Sequence, residues 1–123
     1  MTTEILVCVL CRPPELPRDQ PRPGRALLEA IENIALRDDW PFLIRPVECM
    51  TACRRHCAVA LQAPSKITYM FGDLPADDLS AQQVLACAAL HQASTDGTMA
   101  RDARPERLRE SILARLPAAI STP

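Results

Sequence analysis

Two cysteine segments carry the chemistry that this sequence can offer. VCVLCRPP holds Cys8 and Cys11 in a C-x-x-C pair, and ECMTACRRHC holds Cys49, Cys53 and Cys57 at four-residue intervals. Thiolates are soft donors, and four of them suit a [2Fe-2S] cluster or a tetrahedral zinc ion. The C-x-x-C pair alone would also suit a dithiol oxidoreductase. Arg12, Arg54 and Arg55 flank the thiols, where positive charge favours the thiolate form that binds metal. Such a basic rim would also suit an acidic redox partner. His56 adjoins the second segment and reads as a surface residue before it reads as a ligand. Cys87 and His91, four residues apart in a helical stretch, share one helix face and read as core packing.

The elements that position these thiols follow from periodicity. Glu4 to Leu10 is a β-rich run, apolar on both alternating faces, as in a strand covered on both sides. A proline-rich loop covers residues 12–23 and Gly24 closes it. Leu27, Leu28, Ile31, Ile34 and Ala35 recur at helical spacing, predicting an amphipathic helix over Arg25 to Leu36. Phe42 to Val47 reads as a second strand, parallel to the first by the usual crossover. Ala58 to Ala63 and Lys66 to Phe71 read as strands joined at Pro64-Ser65. Asp77 to about His91 reads as a second helix with an acidic first turn. Residues 94–104 form a polar loop. Pro105 to Leu116 is expected to be a third helix, with Leu108, Ile112 and Leu116 (or Leu113) as its stripe.

This order, β-α-β-β-β-α with an extra C-terminal helix, predicts a single α/β domain over residues 1–123. Its fold class is thioredoxin-like, a small mixed four-stranded sheet covered by helices. In that fold Cys8 and Cys11 leave the C-terminal end of the first strand, and Cys49, Cys53 and Cys57 leave that of the second. Parallel strands bring both loops to one sheet edge, where such folds bind ligands. With five thiols for four places, Cys57 stands either as a spare ligand or as a core residue opening the next strand.

Bulk properties bound the rest. A net charge of −1 gives no reason to expect nucleic acid or an anionic membrane, and the four aromatic residues make no base-stacking platform. No apolar run reaches membrane-spanning length, and the N-terminus lacks the basic start and cleavage site of a signal peptide. A cytoplasmic protein is therefore expected, with reduced thiols, so that six cysteines point to metal or redox chemistry. Neither a catalytic triad nor a phosphate-binding glycine loop is visible, and an electron carrier or metal-binding protein is expected rather than an enzyme.

VCVLCRPP, RPGRALLEAIE, RPVECMTACRRHCAVALQAPSKITYMFGDL and the RPERLRESILARLP tail resemble a bacterial family of predicted metal-binding proteins of unknown function. The similarity spans nearly the whole chain. It implies an association with cobalamin biosynthesis and cobalt handling. A redox or metallochaperone protein is the expected partner. That family is similar in turn to the thioredoxin-like [2Fe-2S] ferredoxins. This second resemblance implies a homodimer and carries ligand roles onto Cys8, Cys49 and Cys53. In the ferredoxins the other ligand lies further along the first loop, roughly where Asp19 to Arg22 stand, and no cysteine is there. Cys11 is the substitute within that loop and Cys57 the alternative fourth ligand. A cluster-free zinc or cobalt centre on the same thiolates is the alternative cofactor.

Overall fold

The computed structural model describes residues 2–9, 22–48 and 57–118. Strand β1 (Glu4–Cys8) lies beside β2 (Leu43–Val47) in parallel, with Cys8 opposite Val47. Its other edge pairs antiparallel with β3 (Val59–Gln62), which pairs with β4 (Thr68–Phe71), which pairs with β5 (Ile112–Leu116). The sheet order is β2-β1-β3-β4-β5. Helix α1 (Pro23–Arg37) joins the two parallel strands, and α2 (Asp78–Ala93) follows β4.

The alternation of β1 separates two environments. Ile5, Val7 and Val9 join Val59, Leu61, Tyr69 and Phe71 in the main core, under α1 and α2, which also pack on each other. From α1 come Leu27, Leu28, Ile31 and Ile34, the apolar stripe that the sequence spacing predicts. Leu27 and Ile31 are wholly buried, each stabilising the fold by about 1.5–3 kcal/mol through lost apolar exposure. Cys8 packs instead with Ala58 and Met70 in a separate small cluster.

Helix α2 has buried residues at Ser80, Ala81, Val84, Leu85, Cys87, Ala88 and His91. Asp77 caps its start, the carboxylate accepting from the Ser80 N–H at 2.8 Å. Arg107 Nη1 donates to the same carboxylate at 2.6 Å, and both partners hold Asp77 below the usual carboxylate range. On edge strand β2, the Val47 carbonyl accepts from the Val9 N–H at 2.9 Å, so Val47 faces β1. Alternation turns Pro46 to the free edge, where its missing N–H breaks no ladder bond.

The C-terminal segment departs from the predicted third helix. Short 3₁₀ turns occupy Arg101–Ala103 and Glu106–Leu108, and Ile112–Leu116 is β5, making the sheet five-stranded rather than four-stranded. Leu108, Ile112 and Leu116 are four apart, which fits a helix. Ile112, Ala114 and Leu116 also alternate, which fits a strand, and so short a pattern does not separate the two. The open edge of β4 decides it. Pairing begins where the Gly72 N–H donates to the Ser111 carbonyl at 2.9 Å, and the Ser111 hydroxyl closes the preceding turn on the Arg107 carbonyl at 2.7 Å. The expected turn at Pro64-Ser65 stands between β3 and β4, with Ser65 in the left-handed region at φ 63°.

Candidate metal centre

Cys8 is the last residue of β1 and is buried. Strand bonds hold its backbone from both sides. The Cys8 N–H donates to the Ala58 carbonyl at 3.0 Å, and the next N–H, of Val9, reaches Val47 on β2. The Cys8 Sγ lies 3.9 Å from the carbonyl oxygen of Glu48, a weak thiol contact. That carbonyl belongs to the peptide leading into Cys49. The parallel pairing of β1 and β2 therefore brings the Cys8 sulfur against the entrance of the second cysteine segment, forty residues away in sequence.

Cys11, Cys49 and Cys53 lie outside the described residues, as do Arg12, Arg54, Arg55 and His56. Among the described residues no three His, Cys, Asp or Glu side chains gather closely enough to hold a metal ion. Cys8, Cys57 and Cys87 are free thiols.

Cys57 sits just before β3 in the left-handed region, φ 59°, and packs in the main core rather than in the Cys8 cluster. Burial, with a smaller contribution from nearby Cys8, pushes its thiol up to about 11. A thiol so placed keeps its proton at neutral pH unless a bound metal displaces it.

Cys87 and His91 share a face of α2, as their spacing predicts, and both are fully buried. The Cys87 thiol donates to the Met99 sulfur at 3.6 Å, and burial pushes it up to about 12. His91 Nε2 lies 2.7 Å from the Ile67 carbonyl oxygen, which can only accept, so this nitrogen carries the proton. Nδ1 then accepts from the Thr3 hydroxyl at 2.8 Å. Both ring nitrogens are engaged, leaving neither open to a metal.

Gly24 is the residue that sequence reasoning left unused. An added Cβ there would overlap the Cys8 carbonyl oxygen and stand 3.1 Å from the Cys8 carbonyl carbon and 3.3 Å from Val9 Cα. The first turn of α1 is thus seated on the Cys8–Val9 peptide, although residues 10–21 intervene in sequence. The available signal was a glycine in the first helical turn of a chain with only three glycines.

A family model described as "Protein of unknown function (DUF1636)" matches residues 5–118. No protein of curated function matches the sequence. Among solved structures, the fold is similar to a thioredoxin-like [2Fe-2S] ferredoxin from Aquifex aeolicus. The TM-score is 0.58 at 17% identity, over 93% of this chain and 92% of that one. A cysteine-to-serine variant of such a ferredoxin from the same organism gives a TM-score of 0.57 at 17% identity, over 91% and 98% of the two chains. A wild-type structure of that ferredoxin gives 0.50 at 24% identity, over 68% and 85%. At these identities the likeness establishes the mixed α/β architecture alone. No helix among the described residues is long and apolar enough to cross a membrane.

Proposed function

We propose that this chain, which belongs to the DUF1636 family, is a small iron–sulfur protein that holds a [2Fe-2S] cluster and passes single electrons. The observation that carries the reading is the Cys8 sulfur, 3.9 Å from the carbonyl that leads into Cys49, at the C-terminal edge of two parallel strands. The ferredoxin-like architecture supports the same reading.

The donor set fits such a group in kind. Cys8, Cys11, Cys49 and Cys53 supply four soft thiolates on two segments that leave one sheet edge. Cys11 lies three residues beyond Cys8, a span of at most about 10 Å, within reach of the same place. Cys57 packs in the main core, so Cys11 is the favoured fourth ligand. When bound, the cluster supplies a one-electron redox couple. The chain's own residues hold and shield it. Strand bonds at Cys8 and Val9 fix the first ligand's backbone, and Ala58 and Met70 cover its side chain. The role is carriage rather than catalysis, with a protein redox partner.

Anaerobically purified protein tests the proposal through its visible spectrum and its iron, sulfide, zinc and cobalt content. Two irons and two sulfides per chain are expected, with absorption between about 400 and 600 nm. Cys49→Ser or Cys53→Ser should abolish stable binding, while Cys87→Ser should leave it intact. A colourless protein with one tightly held zinc, or cobalt without sulfide, would overturn the electron-carrier reading.

A further inference from the structure

The Cys8 N–H is held by the Ala58 carbonyl and the Val9 N–H by the Val47 carbonyl. The first turn of α1 adds a contact on the Cys8 carbonyl that lies between them. Gly24 lies so near the Cys8 carbonyl that an added side-chain carbon would overlap its oxygen, and the atoms in the way are backbone, which cannot swing aside. Helix propensity would favour alanine over glycine here, since glycine costs backbone entropy inside a helix. The close approach to Cys8 therefore decides what glycine does at this position.

We infer that Gly24 is a positioning residue of the proposed thiolate centre: it lets α1 seat directly on the Cys8 carbonyl and so fixes the backbone that aims the Cys8 sulfur at the peptide entering Cys49. This rests on the proposed function. A side chain at residue 24 forces α1 and the end of β1 apart. The Cys8 Sγ then shifts relative to the Glu48 carbonyl, at the peptide that leads into Cys49. Groups that orient ligands from behind typically alter metal affinity by about 10–100-fold when removed.

Gly97 supplies an internal control. It has φ 88°, and an added Cβ would meet Ile67 N at 2.9 Å and Ile67 O at 3.0 Å. Its substitution also strains the backbone, but on the turn after α2, against Ile67 and Lys66 rather than against Cys8.

Cobalt(II) is titrated anaerobically into metal-free wild type, Gly24→Ala and Gly97→Ala, with thiolate-to-cobalt charge-transfer bands and thermal unfolding as readouts. Gly24→Ala should bind cobalt about tenfold or more weakly and with altered charge-transfer intensity per bound ion. Gly97→Ala should unfold at lower temperature yet keep wild-type affinity and spectrum. Equal affinity and bands in Gly24→Ala and wild type would overturn the inference alone, as would equal weakening in both variants. Absence of thiolate bands from wild type would overturn the proposed function and this inference with it. Should Gly24→Ala fail to fold, hydrogen exchange on wild type decides. Cobalt should slow exchange of the Val9, Arg25 and Ala26 amides and leave that of Arg104 unchanged, whereas unaltered exchange in the first turn of α1 would overturn the inference.

Discussion

Lowering the pH should destabilise this protein through His91. The ring is wholly buried, joining Thr3 ahead of β1 to Ile67 ahead of β4 across the end of α2. Burial pushes its pKa down most strongly. The Ile67 carbonyl opposes that shift, and nearby Lys66 reinforces it. Lys66 is itself held there, its ammonium donating to the His91 and Gln92 carbonyls at 3.1 and 2.6 Å. Protonation would also make Nδ1 a donor, so the Thr3 hydroxyl would have to reverse. The folded state thus keeps His91 neutral below 6.5, the ordinary value at which the unfolded chain begins to take up the proton. Stability from this group is complete above that pH and falls as pH drops through it, until the lowered folded value is reached. The slope reaches about 1.4 kcal/mol per pH unit, so near pH 5.5 the loss is at most about 1.4 kcal/mol. For a domain of this size that is about 4–8 °C in Tm. Glu4, Asp77 and Asp96 are all held below the ordinary carboxylate range by their hydrogen bonds, so they stay ionised in this window. The assay is urea unfolding at about pH 7.5 and pH 5.5 for wild type, His91→Gln and His56→Gln, which covers both histidines of the chain. The wild-type loss should persist in His56→Gln and vanish in His91→Gln. A full wild-type pH dependence in His91→Gln would refute the reasoning.

Arg104 is 6% exposed and donates to the carbonyls of Leu108, Met99 and Arg109 at 2.9, 3.3 and 3.1 Å, with its guanidinium 5.9 Å from the Tyr69 ring centre. Arg104→Ala should cost about 2–4 kcal/mol in denaturant unfolding by stranding buried carbonyls. Arg104→Lys should not restore it, because an ammonium cannot reproduce the planar fork; full rescue by lysine would contradict this. Cys57 and Cys87, raised to about 11 and about 12 by burial, should resist iodoacetamide in the folded protein at about pH 8. Mass spectrometry of the peptides should show labelling only as fast as unfolding, and rapid stoichiometric labelling would show that these thiols are not buried.

Local pattern in the sequence determined much of the frame. The stripe of Leu27, Leu28, Ile31, Ile34 and Ala35 specifies α1 because a helix repeats every 3.6 residues whatever lies around it. Apolar runs bounded by turn residues likewise specify β1 to β4, to within one or two residues at most boundaries. The parallel reading of β1 and β2 also followed from order alone, and with it the shared edge at which Cys8 meets the approach to Cys49. Three matters depended on tertiary structure. The tail from Pro105 carries spacings that suit helix and strand equally, and the vacant edge of β4 selected the strand by offering backbone partners. Cys57 belongs to the same four-residue series as Cys49 and Cys53, yet it packs in the main core, because the side chain's surroundings depend on how the chain enters β3. Gly24 seemed only to close a loop until α1 was seen to rest on Cys8. Periodicity reports which faces are apolar, but the distance between two backbones far apart in sequence exists only once both elements are packed.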